Sequence, residues 1–137
     1  MAKIEDLDNA YLDMASIWGS LSYAERKKVG CLIVKDGQII SDGYNGTPTG
    51  LSNVCEDESG KTLEIVIHAE SNALMKLAKG TSSSQGATMY LTLSPCFDCA
   101  KLIKQAGVNR VVYREEYRKT EGLEFLRTTG IKVVHLP

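Results

Sequence analysis

Ala87-Thr88-Met89-Tyr90-Leu91-Thr92-Leu93-Ser94-Pro95-Cys96-Phe97-Asp98-Cys99-Ala100-Lys101 reads as a strand running into a helix. The β-rich part ends near Leu93, and the helix runs from Phe97 to Ala106, ended by Gly107. Toward the C-terminus the alternation repeats: Arg110 to Tyr113 as a strand, Thr120 to Thr128 as a helix ended by Gly130, and Ile131 to His135 as a closing strand. Strands separated by helices are joined by right-handed crossovers, so these last three are expected to run parallel. Toward the N-terminus, Thr81-Ser82-Ser83-Ser84-Gln85-Gly86 reads as a connector. Before it, Ala69, Ala73, Leu74, Leu77 and Ala78 recur at helical spacing and stop at Lys79-Gly80. Asn45 to Thr62, rich in Gly, Pro, Asn, Ser and Asp, is predicted to be a long loop, and loops of that length in a compact domain are usually functional. Val29 to Val34 and Gln38 to Tyr44 flank Asp36-Gly37, a strong signal for an antiparallel hairpin. Ile4, Leu7, Tyr11, Met14, Trp18 and Leu21 share one face of a first helix, and that face is expected to lie on the sheet. The order predicts an α/β architecture with helices on both faces of one mixed sheet.

The 137 residues suit one domain, and 43% hydrophobic with 24% charged residues is ordinary globular usage. A net charge of −1 supplies no general field for a nucleic-acid backbone, so no nucleic-acid partner is expected. No run is apolar enough for a membrane span, and Met1-Ala2-Lys3-Ile4-Glu5-Asp6 lacks the apolar region of a signal peptide. A cytoplasmic location and no membrane partner are the expectations. In a reducing compartment, four cysteines are better explained by metal binding or catalysis than by disulfides.

His68-Ala69-Glu70 opens the second helix and Pro95-Cys96-Phe97-Asp98-Cys99 opens the third. Helix N-termini collect beyond the carboxyl ends of strands in α/β sheets, so both motifs are expected at one crevice. His68, Cys96 and Cys99 offer one imidazole and two thiolates, three ligands of the kind that hold a catalytic Zn²⁺. A closed structural zinc site would need a fourth. Glu70 is offset by two residues from His68, so the two do not share a helix face. Its carboxylate is better suited to carry a proton from an attacking water to a ring nitrogen and on to a leaving amine. Alone, C-x-x-C is equally compatible with a redox or structural role. With H-x-E before it and Pro preceding the first Cys, it forms the zinc-deaminase signature.

Two further stretches, Lys28-Val29-Gly30-Cys31-Leu32-Ile33-Val34 and Gly43-Tyr44-Asn45-Gly46-Thr47-Pro48-Thr49-Gly50, join His68-Ala69-Glu70-Ser71-Asn72-Ala73 and Ala87 to Lys101. Together they resemble the zinc-dependent cytidine deaminase superfamily, and within it the deoxycytidylate (dCMP) deaminases, particularly of the bacteriophage type. The resemblance implies a cytidine deaminase-like three-layer α/β/α fold with a mixed five-stranded sheet, residues 1–137 forming a single deaminase domain. It implies hydrolysis of dCMP to dUMP and ammonia, with Zn²⁺ on His68, Cys96 and Cys99 and with Glu70 catalytic. Asn45 matches a ribose-binding asparagine. Tyr117 matches a tyrosine that stacks on the pyrimidine, or is a surface aromatic. Ser22 and Arg26 match residues at the substrate phosphate, while Arg26-Lys27-Lys28 reads equally as a solvated charge cluster.

Gly43, Tyr44, Asn45 and Gly46 match a loop tied to effector binding. The resemblance accordingly implies a homohexamer activated by dCTP and inhibited by dTTP, with room for Mg²⁺ beside the triphosphate, in the host cytoplasm if the chain is phage-encoded. Longer relatives carry extra metal ligands before the His-x-Glu segment. Here that stretch offers only Cys55 with acidic neighbours, so no second zinc is expected, and Cys31 reads as a small core residue. Two other readings stay open: a deaminase acting on a base within tRNA or on another nucleoside, and a non-catalytic, zinc-stabilised nucleotide-binding module.

Overall fold

Residues 2–137 are described by the computed structural model. In chain order these residues form α1 (Ile4–Gly19), β1 (Gly30–Lys35), β2 (Gln38–Tyr44), α2 (Ala69–Ala78), β3 (Thr88–Leu93), α3 (Phe97–Gln105), β4 (Arg110–Glu115), α4 (Glu121–Thr128) and β5 (Lys132–His135). The predicted hairpin forms, with Lys35 opposite Gln38. Asp36 and Gly37 both take positive φ, 51° and 75°, as a two-residue type I′ turn requires. One sheet results, in the order β2-β1-β3-β4-β5. The β1 strand is antiparallel to both neighbours, while β3, β4 and β5 are parallel as expected. Among the described residues no helix is long and apolar enough to cross a membrane.

Because side chains alternate across a strand, the central strands feed two cores. Met89, Leu91, Val111 and Tyr113 pack beneath the layer that includes Leu74 of α2, Ile103 of α3 and Leu126 of α4. Tyr90 and Val112 face the other way, onto Leu12 and Ala15 of α1. Cys31 is fully buried in the first core, and all four cysteines are free.

The first helix corrects the expectation. Of the predicted stripe, Ile4, Leu7, Met14 and Leu21 are exposed and Tyr11 and Trp18 are half-buried. The face on the sheet is instead Asp8, Leu12, Ala15 and Gly19, turned by roughly one residue's rotation, ~100°. Backbone proximity explains this choice: a Cβ on Gly30 would sit 1.8 Å from the Ala15 carbonyl oxygen, and one on Gly19 would sit 2.7 Å from the Gly30 nitrogen. Only small residues allow that approach. Asp8 tolerates burial because Arg110 donates to both of its oxygens, at 2.8 and 2.5 Å, and the Tyr90 hydroxyl donates at 2.6 Å.

Candidate active site

His68 and Cys96 occupy the N-cap positions of α2 and α3, and neither side chain caps its own helix. They face each other instead. His68 Nδ1 lies 3.6 Å from Cys96 Sγ and 3.2 Å from Cys99 Sγ, and the three donor atoms are all within 4.8 Å of one another. Tetrahedral zinc, with bonds of about 2.0 Å to nitrogen and 2.3 Å to sulfur, places neighbouring N and S ligands about 3.5 Å apart. The donor set fits Zn²⁺ in both chemistry and spacing.

The three groups share protons unevenly. The hydrogen bond from the Cys99 thiol brings Cys96 down to about 4, His68 adding to it against the opposing effect of burial. Cys99, the donor in that bond and itself buried, is pushed far up. The bond to Cys96 raises His68, with burial opposing and the Glu70 carboxylate helping. A thiolate at a helix N-terminus is further favoured by the helix dipole.

Glu70 is 5% exposed. Burial pushes its carboxyl up to about 7, against its own backbone N–H and the charge of His68; a bound cation pulls it down again. Glu70 lines one cavity of about 260 Å³ together with His68, Cys96, Asn45, Arg26 and Tyr117. The two motifs thus share one crevice.

Residues 22–29 form a strap with no helix or strand, and Ala24, Arg26, Lys27 and Val29 from it line one wall of that crevice. Three side chains satisfy much of its backbone. The Asn45 amide donates to the Lys27 carbonyl at 2.8 Å and accepts from the Val29 N–H at 2.9 Å. Ser22 donates its hydroxyl to the Asn45 carbonyl at 2.7 Å and accepts from the Ala24 N–H at 3.1 Å. Glu56 accepts from the Glu25 and Arg26 N–H groups at 3.0 and 3.2 Å.

Of the expected substrate residues, Arg26, Asn45 and Tyr117 therefore line the cavity, and Ser22 does not. Ser22 is 3% exposed, and its hydroxyl braces the strap. Tyr117 is set by its N–H donating to Ser94 Oγ at 2.6 Å. Lys27 is paired with Glu115, and Lys28 borders a separate depression, which leaves Arg26 as the cavity-lining member of the basic trio without an ionic partner among the described residues.

The residues expected at an effector loop divide by position. Tyr44 and Gly46 line a second cavity of about 230 Å³, while Asn45 between them lines the first. Gly43 is buried against α2, where a Cβ would lie 2.5 Å from the Ala69 oxygen. Its lack of a side chain serves helix packing rather than ligand approach. Glu56 was missed by sequence reasoning: an acid in a polar loop is indistinguishable from a solvated charge until its partners are seen.

The fold and this donor cluster define a zinc-deaminase class of enzyme. A family model described as the cytidine and deoxycytidylate deaminase zinc-binding region matches residues 6–115, and the chain belongs to that family. The deoxycytidylate deaminase of Enterobacteria phage T4 is 37% identical over 153 aligned residues, covering 80% of this chain and 79% of the relative. That of Mycobacterium phage D29 is 36% identical over 125 residues, covering 81% and 96%. The solved structure of dCMP deaminase from the cyanophage S-TIM5, in complex with dCMP and dUMP, is 44% identical with a TM-score of 0.94, covering 99% of this chain and 100% of that one. The resemblance seen in four stretches of sequence holds, as does the three-layer fold it implied.

Proposed function

We propose that this chain is a dCMP deaminase that hydrolyses dCMP to dUMP and ammonia, residues 1–137 acting as one domain. The observation that carries the reading is the arrival of Glu70 at the cavity lined by His68 and Cys96, whose donor atoms cluster with that of Cys99. These three residues would hold Zn²⁺, which when bound supplies the Lewis acidity that makes water nucleophilic near neutral pH.

Glu70 moves the protons. It takes one from the water attacking C4 of the pyrimidine, passes it to the adjacent ring nitrogen, and delivers a proton to the amino group as ammonia leaves. Its burial keeps that traffic away from bulk solvent. Asn45, after its two bonds to the strap, retains one N–H and one acceptor lone pair for a sugar hydroxyl. Tyr117 covers the base, and the Arg26 guanidinium matches the oxygens of a phosphate monoester.

The reading extends to regulation. The chain assembles as a homohexamer, dCTP activates and dTTP inhibits, and Mg²⁺ accompanies the triphosphate. Support for this part comes from the resemblance and from Tyr44 and Gly46 lining a cavity back to back with Asn45. Effectors of opposite sign must bind two states of the assembly with different affinity.

Ammonia release from dCMP, deoxycytidine and tRNA tests the catalytic reading. Turnover of dCMP above the others is expected. Release from tRNA alone would instead favour a base deaminase, and nucleotide binding without ammonia a non-catalytic module. Net charge −1 argues against a tRNA platform.

A further inference from the structure

We propose that Glu56 is a positioning residue for phosphate recognition, its carboxylate holding the 22–29 strap so that Arg26 faces the catalytic cavity. The proposal rests on the reading of Arg26 as the phosphate-binding residue. Glu56 Oε2 accepts from two consecutive N–H groups, those of Glu25 and Arg26. Among the described residues no other side chain bonds the backbone at either position. The strap has no sheet or helix to hold it there; Ser22 braces it at Ala24 and Asn45 at Lys27 and Val29, and the Glu56 carboxylate is the side chain that holds the backbone at Glu25 and Arg26 between them.

Glu56 is itself well anchored. It forms a backbone bridge with Thr62, and its neighbour Cys55, 2% exposed, accepts from the Leu63 N–H at 2.8 Å. A guanidinium recognises phosphate through a fork of fixed geometry, so its value depends on where the backbone presents it. Pre-setting that backbone removes an ordering cost from substrate binding.

The sign of the effect separates this role from simple electrostatics. Glu56 lines the same cavity as Arg26, and an acid beside a phosphate site repels the substrate. On charge alone, Glu56→Ala would lower the KM for dCMP. If Glu56 positions Arg26, the same change raises it.

The experiment measures kcat and KM for dCMP and deoxycytidine in the zinc-loaded wild type, Glu56→Ala, Glu56→Gln, Arg26→Ala and the Arg26–Glu56 double alanine variant, with melting temperature and zinc content as checks. Glu56→Ala is expected to raise the KM for dCMP roughly tenfold, with kcat changed less than about twofold and deoxycytidine little affected. Glu56→Gln, which keeps an acceptor oxygen, should recover most of the loss. The double variant should match Arg26→Ala, because the two residues act through one contact. An unchanged or lowered KM in both Glu56 variants, alongside a raised KM in Arg26→Ala, would overturn the proposal while leaving Arg26 at the phosphate. Equal losses on both substrates in Arg26→Ala would instead remove the phosphate reading on which it stands. Should Glu56→Ala fail to fold, Glu56→Asp takes its place, since it keeps the charge but draws the acceptor back by one methylene from the Glu25 and Arg26 N–H groups: a dCMP-selective rise in KM with full zinc content supports the proposal, and an unchanged KM for dCMP refutes it.

Discussion

Replacing Gly43 with alanine tests how the site depends on the seat of α2. The new Cβ would lie 2.5 Å from the Ala69 carbonyl oxygen and 2.7 Å from the Ala73 nitrogen, both backbone atoms of α2's first turns. That is about 1 Å inside ordinary contact distance. No flexible side chain is available to yield, so strand and helix must separate. Overpacking of this kind costs about 1–3 kcal/mol, and a clash between two backbones belongs near the top of that range. A fall in Tm of roughly 8 °C follows for a domain of this size.

The helix that must move carries Glu70 in its first turn and His68 at its N-cap. Misplacing a reacting group by 1 Å can cost on the order of 100-fold in rate. Thermal melts and ammonia release from dCMP without any triphosphate, normalised to bound zinc, measure both effects. If Gly43 served effector binding alone, turnover without effectors would be unaffected. A wild-type Tm together with wild-type turnover in Gly43→Ala refutes the packing argument.

Glu70→Gln should bind about one zinc per chain and lose about 10²–10⁴-fold in turnover, read by metal analysis beside the ammonia assay. Cys96→Ala and Cys99→Ala should lose metal and activity together, and a chelator should inactivate the wild type until Zn²⁺ is restored. Asp8→Ala strands Arg110, whose side chain is 16% exposed, and should cost about 3 kcal/mol in denaturant unfolding. Burial alone would raise Asp8, but hydrogen bonds from Arg110 and Tyr90 outweigh it and hold the carboxyl below its ordinary value. Its stabilisation is therefore present above about pH 4 and lost as the pH falls through the lowered pKa, so Asp8→Ala should flatten the acid limb of the stability profile. Sedimentation as a hexamer is expected, with sigmoidal dCMP kinetics that become hyperbolic with dCTP and inhibited with dTTP; a monomer indifferent to both removes the regulatory reading alone.

The chemical centre was legible because its demands are local. A histidine and a cysteine at two helix starts, a second cysteine three residues on and a carboxylate two residues after the histidine are all short-range patterns. The Asp36-Gly37 turn is equally local, since its φ values depend on those two residues and the strands beside them. The exposed stripe on α1 shows where periodicity stops. That helix carries a row of large apolar residues and, about 100° away, a row containing Asp8, Ala15 and Gly19. Hydrophobicity favours the first, but the gap over Gly30 admits only the second.

The sequence alone determined the strand and helix order, the parallel half-sheet, the His68, Cys96 and Cys99 cluster and the acid beside it to which proton transfer is assigned under the proposed function, because each rests on residue type at short spacing. The tertiary structure decided which face of α1 meets the sheet, why Gly43 must be glycine, that Ser22 braces the strap instead of lining the cavity, and that Glu56 reaches Arg26. Those outcomes depend on backbone separations of a few ångströms between segments distant in the chain. Such separations are set by the packing of the whole sheet and its helices, and a single sequence does not encode them in any local pattern.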